Sequence, residues 1–483
     1  MRVKHNIRLI AASFVLSTAI PATTMSAANI LLIIGDDMGV ETLRSYGLGE
    51  NPPATPHLDE MAREGVRFNN FWSQPACSPT RATIMTGRYG FRTGIGAPVN
   101  ARGPLPEPPA VPDWALANVT TGNMSGGMPG AVAVRGMGGV GSRSVPRNGL
   151  SVNEYTLPMA FNDNAELGYS TAAIGKWHLA DLSNGWLDHP NRVGFDHFSG
   201  SITGGVESYF AWNKIIDGEA TGATGYAPTD KIDDAITWIG EQGGNPWFLW
   251  FAFNLPHRPL HMPPDDARIG TSDLSYPAMI EAMDTQIGRM LASLEPEIRA
   301  NTYVIFMGDN GTENTEVSTP FQAGRAKGTL YRGGVNVPLL VTGPGVQRAA
   351  VSEALVNSVD LFSTVMEMAG IEPAKTIPTE ITHDSISFLP TLSNPTATPR
   401  DWIFADEFLG GFAGVSTAYS AMRNERYKLL NFSGIEEFYD LETDPYEHNN
   451  LLAGELSSDE RAEYFALQRE IASLRGSEIS RRQ

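Results

Sequence analysis

Cysteine occurs once in the 483 residues, at Cys77, so no internal disulfide can staple the chain. A solitary thiol is an inert buried residue, an intermolecular link or a chemical group. Positive charge is also scarce, with 35 Lys and Arg against 54 Asp and Glu, a net charge of −19. Such a surface repels nucleic-acid phosphates and anionic membranes over a Debye length, so no nucleic-acid partner is expected. Any anionic substrate would need a cationic pocket cut into an acidic shell. Internal repeats are absent. The apolar stretch from Leu9 to Ile20 is too short to span a bilayer.

That stretch follows Arg2, Lys4 and Arg8 and ends in small residues through Ala27 and Ala28. The layout predicts a signal peptide over 1–28, hence an exported, periplasmic or secreted protein with no membrane attachment after cleavage. A membrane anchor or a frayed helix is the alternative. Hydrophobic residues make up 42% of the chain and charged residues 18%, an ordinary globular composition. The length suits one large core with a smaller appendix.

Beyond residue 28, apolar runs alternate with helical patterns. The runs Asn29 to Ile34, Ser170 to Ile174, Pro246 to Asn254, Thr302 to Met307 and Val337 to Val341 are too continuous for half-exposed strands. Thr55-Pro56 reads as an N-cap with proline at the first helical position, and Gly65 as the stop. Ile280, Met283, Ile287, Met290 and Leu294 form one helical stripe. The expected fold class is α/β, a large mixed and mostly parallel sheet sandwiched by helices, over 29–394. A Gly/Pro-rich insertion over 97–147 should be a long loop. Over 395–483 the pattern changes to short strands, Trp402 to Ala405 and Tyr427 to Asn431, and a helix from Ser458 to Leu474 with Phe465, Leu467, Ile471 and Leu474 as its apolar side. This predicts a C-terminal α+β subdomain with a small antiparallel sheet.

Four buried runs end in polar residues: Asp36-Asp37, Lys176 with His178, His257, and Asp309-Asn310. Ligands bind outside the carboxyl ends of strands in open α/β sheets, so these groups can converge on one crevice. Asp36, Asp37, Asp309 and Asn310 are hard oxygen donors suited to Ca²⁺ or Mg²⁺. Either acidic pair alone could equally be a cap and turn. Lys176 and His178, alternating about Trp177, suggest with His257 a cationic cradle and proton transfer. Lys327, between Gly324 and Gly328, is a loop lysine whose bland reading is a solvated surface charge. Tyr209, Phe210 and Trp212 could stack on a ring or simply pack.

The segment Cys77-Ser78-Pro79-Thr80-Arg81-Ala82, continued by Thr83-Ile84-Met85-Thr86-Gly87-Arg88, resembles the Cys-x-Pro-x-Arg signature of the sulfatase family. In that family, of alkaline phosphatase-like fold, the cysteine becomes formylglycine (3-oxoalanine). The resemblance extends through Asp36-Asp37, Thr55-Pro56-His57-Leu58-Asp59, Gly175-Lys176-Trp177-His178-Leu179, Pro256-His257-Arg258-Pro259, Asp309-Asn310-Gly311 and Lys327-Gly328-Thr329-Leu330-Tyr331, to Phe438-Tyr439-Asp440-Leu441-Glu442-Thr443-Asp444-Pro445. It implies a sulfuric ester hydrolase, arylsulfatase-like, acting on an aryl sulfate or sulfated carbohydrate, either a small molecule or an oligosaccharide. Asp36, Asp37, residue 77, Asp309 and Asn310 would hold Ca²⁺, with Mg²⁺ as the alternative. Hydrated formylglycine at 77 would attack sulfur with one hydroxyl and release sulfate through the other. Arg81 and Lys176 would steady residue 77, His178 would help deprotonate it, Lys327 would hold sulfate oxygens, and His257 would protonate the leaving oxygen. A formylglycine-generating enzyme is the implied maturation partner.

The chain departs from the family pattern in three places. The 97–147 insertion intervenes before Lys176, where a lid or rim is expected. Ala180 stands where a glycine is usual, and Arg332 stands where a glutamate often follows the loop tyrosine. The latter is an extra cation for the pocket or a surface change. Two rival functions remain: a phosphonate monoester or phosphodiester hydrolase of the same fold, and a non-catalytic glycan-binding protein, which should have lost a metal or nucleophile position. None is lost.

Overall fold

The first strand, β1 (Asn29–Gly35), shows why the apolar runs are continuous. Ile30, Leu32 and Ile34 enter the core on one face of the sheet, while Leu31 and Ile33 enter the core on the other, and all five are fully buried. A strand with two buried faces needs an apolar side chain at every position. Each such side chain contributes about 2 kcal/mol of burial. The computed structural model describes residues 27–100, 103–118, 148–409 and 419–479.

The remaining strands of the main sheet are β2 (Val66–Trp72), β3 (Ser170–Lys176), β4 (His197–Ser201), β5 (Ala211–Ile216), β6 (Glu219–Thr224), β7 (Trp247–Ala252), β8 (Thr302–Gly308), β9 (Leu339–Thr342) and β10 (Ala350–Asn357). Their order is β10-β2-β9-β8-β1-β7-β3-β4-β5-β6. Strands β8, β1, β7, β3 and β4 run parallel, as do β10 and β2. The run at Val337 to Val341 becomes β9, which lies antiparallel between β8 and β2. Helices Cys77–Thr86, Leu157–Asn162 and Leu361–Met368 cover one face of the sheet, and helices Pro56–Glu64, Ala227–Glu241 and Ser275–Ala292 cover the other.

Register decides where the chemistry lies. Gly35 pairs with Gly308, Ile34 with Ala252, and Gly175 with Ala252, so β8, β1, β7 and β3 end level. Gly175 makes this possible: a Cβ there would sit 1.9 Å from the Ala252 carbonyl oxygen, and its φ of 105° is one that L side chains rarely adopt.

Strands β11 (Ile403–Glu407), β12 (Tyr419–Arg423), β13 (Tyr427–Phe432) and β14 (Ile435–Asp440) form a second, antiparallel sheet, followed by helix Ser458–Ile479. Leu467, Ile471 and Leu474 pack on this sheet, but Phe465 is largely exposed, so the helical stripe is narrower than its sequence predicts. Helix Pro56–Glu64 also departs from expectation. The Thr55 hydroxyl makes no capping bond and is buried without a partner. Asp284, on helix Ser275–Ala292, caps it instead by accepting from His57 N at 3.2 Å and Leu58 N at 2.8 Å. A carboxylate brought in by tertiary packing displaces the local threonine.

Among the described residues, no helix is long and apolar enough to cross a membrane. The expected signal peptide lies outside the described residues except for Ala27 and Ala28, and so do residues 119–147 of the insertion.

Candidate active site

Asp36 and Asp37 leave β1, Asp309 and Asn310 leave β8, Lys176 closes β3, and Asn254 follows β7, all at the same rim. Asp37 N donates to Asp309 Oδ1 at 3.3 Å, and Asn310 Nδ2 donates to Asp37 Oδ1 at 2.8 Å. These bonds join the two acidic loops. Cys77 is the first residue of its helix, and that helix is anchored to the same place. Thr80 Oγ1 donates to the Asp309 carbonyl at 2.5 Å, while Arg81 donates to Asp309 Oδ2 at 3.1 and 2.8 Å and to the Lys176 carbonyl at 2.6 Å. Lys176 Nζ reaches Asp36 Oδ2 at 2.5 Å, and Lys327 Nζ reaches Asp37 Oδ2 at 2.6 Å.

The structure thus gathers Asp36, Asp37, Cys77, Arg81, Lys176, His178, His257, Asp309, Asn310 and Lys327 into one cluster. Within it, Arg81 and Lys176 reach carboxylates and a carbonyl, whereas the hydrogen-bond partner of Cys77 Sγ is His178 Nδ1 at 3.1 Å. His178 Nε2 lies 3.0 Å from the Val99 carbonyl, an acceptor only, so Nε2 carries the proton and Nδ1 is free to accept one. Burial, then Lys176 and Arg81, hold His178 well below the usual histidine range, which keeps it neutral. Its φ of 62° and the 67° of Asp37 place two non-glycine residues of the rim in the left-handed region, at a strain cost of about 1–3 kcal/mol each.

The acids do not behave alike. Burial and then the neighbouring Asp309 push Asp36 well above the usual carboxylate range, against the pull of Lys176. Burial also works to raise Asp37, but Lys327, His257 and Lys176 outweigh it and hold Asp37 well below that range. Asp36 Oδ1 and Asn310 Oδ1 are buried without a protein partner. Oxygens from Asp36, Asp37 and His257 nitrogen, and from Asp36, Asp309 and Cys77 sulfur, group within 4.8 Å of one another. Crowded acids with two unpartnered oxygens fit a divalent cation.

His257 sits at the mouth, its side chain 19% exposed, with Lys327 beside it at 15%. Its Nδ1 donates to the Arg258 carbonyl at 2.8 Å, leaving Nε2 facing Asp37 Oδ2 at 3.9 Å. Burial, with Lys176 and Lys327, brings its pKa down to about 3 although Asp37 opposes them. Nε2 is therefore unprotonated at neutral pH.

Sequence reasoning missed several supports. Asn254 Oδ1 accepts from Ser201 Oγ at 3.1 Å and from the buried Lys231, leaving Asn254 Nδ2 buried without a partner. Burial lowers Lys231 to about 7. The position of Asn254 just past the β7 run was the available signal. Tyr209 donates to the Asn254 and His257 carbonyls, and Tyr209, Phe210 and Trp212 are all buried, so these aromatics pack beneath the site. Arg332 turns away from the pocket, donating to the Pro445 carbonyl at 3.0 Å and lying 5.6 Å from the Tyr446 ring. The insertion enters the site at Val99, and its described part then runs beside β5, with Asn213 donating to the Pro106 carbonyl and Trp114 edge-on to Phe210.

Comparison with known proteins gives this arrangement its place. The Sulfatase family model matches residues 28–371, and that of the C-terminal part of N-sulphoglucosamine sulphohydrolase matches 326–475. Human (Homo sapiens) N-acetylgalactosamine-6-sulfatase is 30% identical over 75% of this chain and 65% of its own length. Bovine (Bos taurus) arylsulfatase A is 26% identical over 90% of this chain and 80% of its own. The solved structure of Ps i-CgsB with k-i-k-neocarrahexaose superposes with a TM-score of 0.71, at 23% identity over 92% of both chains. With most of its length matched and the motif-bearing loops meeting on one rim, the chain belongs to the sulfatase family.

Proposed function

We propose that the protein hydrolyses sulfate monoesters, aryl sulfates or sulfated carbohydrates, to an alcohol and inorganic sulfate. The observation that carries this reading is the placement of the position-77 side chain 3.1 Å from a neutral His178, inside a rim of acids and cations. Asp36, Asp37, Asp309, Asn310 and residue 77 would hold the divalent cation, Ca²⁺ or else Mg²⁺. Formylglycine at position 77 would supply a hydroxyl nucleophile, and the cation would lower its pKa and offset sulfate charge.

The chain's own residues do the rest. His178 Nδ1 accepts the proton of the position-77 group, with the tautomer held by the Val99 carbonyl. Lys176 and Arg81 hold Asp36 and Asp309 in place and lend positive charge where the anionic ester must approach. Lys327, partly exposed at the mouth, holds sulfate oxygens. An anionic ester beside His257 raises that imidazole's proton affinity, so that Nε2 takes a proton from solvent and then gives it to the departing oxygen. An acidic surface is thus compatible with a site whose cations, together with a bound divalent metal, would receive an anion.

Sulfated sugars are the favoured substrate class, since the human relative is named for N-acetylgalactosamine sulfate and a structural neighbour holds a neocarrahexaose. Residues 29–394 would form the catalytic unit and 395–483 the subdomain that closes one side of it. Export by the 1–28 segment and maturation by a formylglycine-generating enzyme complete the reading.

The test is sulfate release from sulfated sugars and phenol release from an aryl sulfate and an aryl phosphonate monoester, using enzyme whose conversion at Cys77 is confirmed by intact mass. Sulfate ester turnover well above phosphonate turnover is expected. Preference for the phosphonate, or turnover without conversion, overturns the proposal.

A further inference from the structure

The loop 325–332 carries three cations, Arg325, Lys327 and Arg332, yet only Lys327 faces the rim. The C-terminal segment holds the other two. Arg325 donates to the Glu447 carbonyl and lies 4.2 Å over the Tyr331 ring, while Arg332 donates to the Pro445 carbonyl at 3.0 Å. Glu447 then grips the loop backbone. One carboxylate oxygen accepts from Arg332 N at 2.7 Å, and the other accepts from Lys428, whose ammonium also donates to the Leu330 carbonyl at 2.7 Å. Lys428 lies 4.6 Å over the ring of Trp72, at the end of β2, the strand that leads to Cys77. Lys428 and Glu447 are both almost completely buried.

The other end of the loop is tied to the site. Lys327 N donates to the Thr312 carbonyl at 3.0 Å, and Gly328 N donates to the Pro75 carbonyl at 2.8 Å, two residues before Cys77. The loop is therefore strung between the nucleophile's approach and the Lys428–Glu447 pair.

We propose that the buried Lys428–Glu447 pair is a positioning device for Lys327, aiming its ammonium at the sulfate-binding rim across the junction of the two sheets. This rests on the reading of Lys327 as a sulfate ligand. Two physical points support it. An apolar pair of similar volume is usually cheaper to bury than an ion pair, so a pair kept here supplies directed bonds rather than stability. Glu447 also has a φ of 63°, in the left-handed region, and that strain is retained at a residue whose carbonyl and both carboxylate oxygens all hold loop 325–332 or Lys428.

The experiment compares Glu447→Gln, Lys327→Ala and the two combined in converted, metal-loaded enzyme. Inorganic sulfate binding is read by calorimetry, and KM and kcat are read with nitrophenyl sulfate. Glu447→Gln should weaken sulfate binding and raise KM several-fold with a smaller change in kcat and unaltered metal content. In the Lys327→Ala background it should add nothing, because it acts through Lys327. Effects that multiply in the combined variant, or a Glu447→Gln that shifts only the melting temperature, overturn the inference alone. A Lys327→Ala enzyme with normal sulfate binding sinks the assignment of Lys327 itself, and the inference with it. Should Glu447→Gln fail to fold, Lys428→Met/Glu447→Gln leaves no unpaired buried charge. It must show the same loss of sulfate affinity, and normal affinity in that folded variant overturns the proposal.

Discussion

Beside the C-terminal half of helix Cys77–Thr86, Asp360 and Arg400 form a buried ion pair; at its N-terminal end, Asp36, Asp309, Lys176 and Arg81 form another buried charge cluster. In the first, Arg400 Nε donates to the two Asp360 oxygens at 2.9 and 2.7 Å, and the same oxygens accept from Ile386 N and Asn357 N, both at 2.9 Å. Both carboxylate oxygens are engaged, so the pair can only hold position. In the second, Asp36 Oδ1 and Asn310 Oδ1 are unpartnered, and two carboxylates crowd closely enough that Asp36 is raised by burial and by Asp309. Equal burial therefore means different things: a closed pair locks the fold, and an open cluster keeps unpartnered oxygens, as the proposed cation site requires.

Substitutions should separate the two clusters. The largest effect is expected from Cys77→Ala, which should abolish turnover while thermal melting stays close to that of the parent; measurable ester hydrolysis would remove position 77 from the chemistry. Next, Asp309→Ala should lose bound metal and activity together. A variant that retains full metal content after dialysis would show that Asp309 is not a ligand. At the closed pair, Arg400→Met should cost about 3 kcal/mol in denaturant unfolding because it leaves a buried carboxylate without its cation, with KM unchanged in the folded fraction. A shift in KM there would erase the distinction between the clusters.

His257→Ala should slow esters of poor leaving groups more than esters of good ones, and equal losses across a leaving-group series would reject its role as the acid. The smallest effect concerns His189, which mimics His178 in the core. Its Nε2 donates to the Leu150 carbonyl at 2.8 Å, and its Nδ1 accepts from Trp177 Nε1 at 2.9 Å. Burial brings it down to about 4. The unfolded chain takes up this proton first, near pH 6.5, so stability is full above that pH and declines as pH falls toward about 4. His189→Gln can make both bonds without the proton, so its melting temperature should fall less over that window. A curve parallel to the parent's would contradict the assignment.

The reading of the site from the sequence went furthest where strands ended. Runs buried on both faces announce themselves as continuous apolar stretches, and the polar residues just past them had to lie at the strand ends, so Asp36, Lys176, His257 and Asp309 were all legible. The partners were not. Val99, which sets the His178 tautomer, offers only a carbonyl, which every residue possesses. Asp284 caps a helix more than two hundred positions away, overriding Thr55. Arg332 carried the right charge beside Lys327 but faces Tyr446. Tyr209, Phe210 and Trp212 could not be placed as surface or core, because an aromatic cluster suits either until its neighbours are known.

An α/β sandwich, a lone Cys77 inside a stretch that resembles the sulfatase signature, and acids and cations following the strands were all written in the chain, because periodicity, composition and motif spacing are local properties. Folding in three dimensions settled that β8, β1, β7 and β3 end level, which acid pairs with which cation, and that the segment around Glu447 reaches the Lys327 loop. Those outcomes depend on register and on contacts between residues far apart in the chain, where close packing admits one arrangement and local preference is silent.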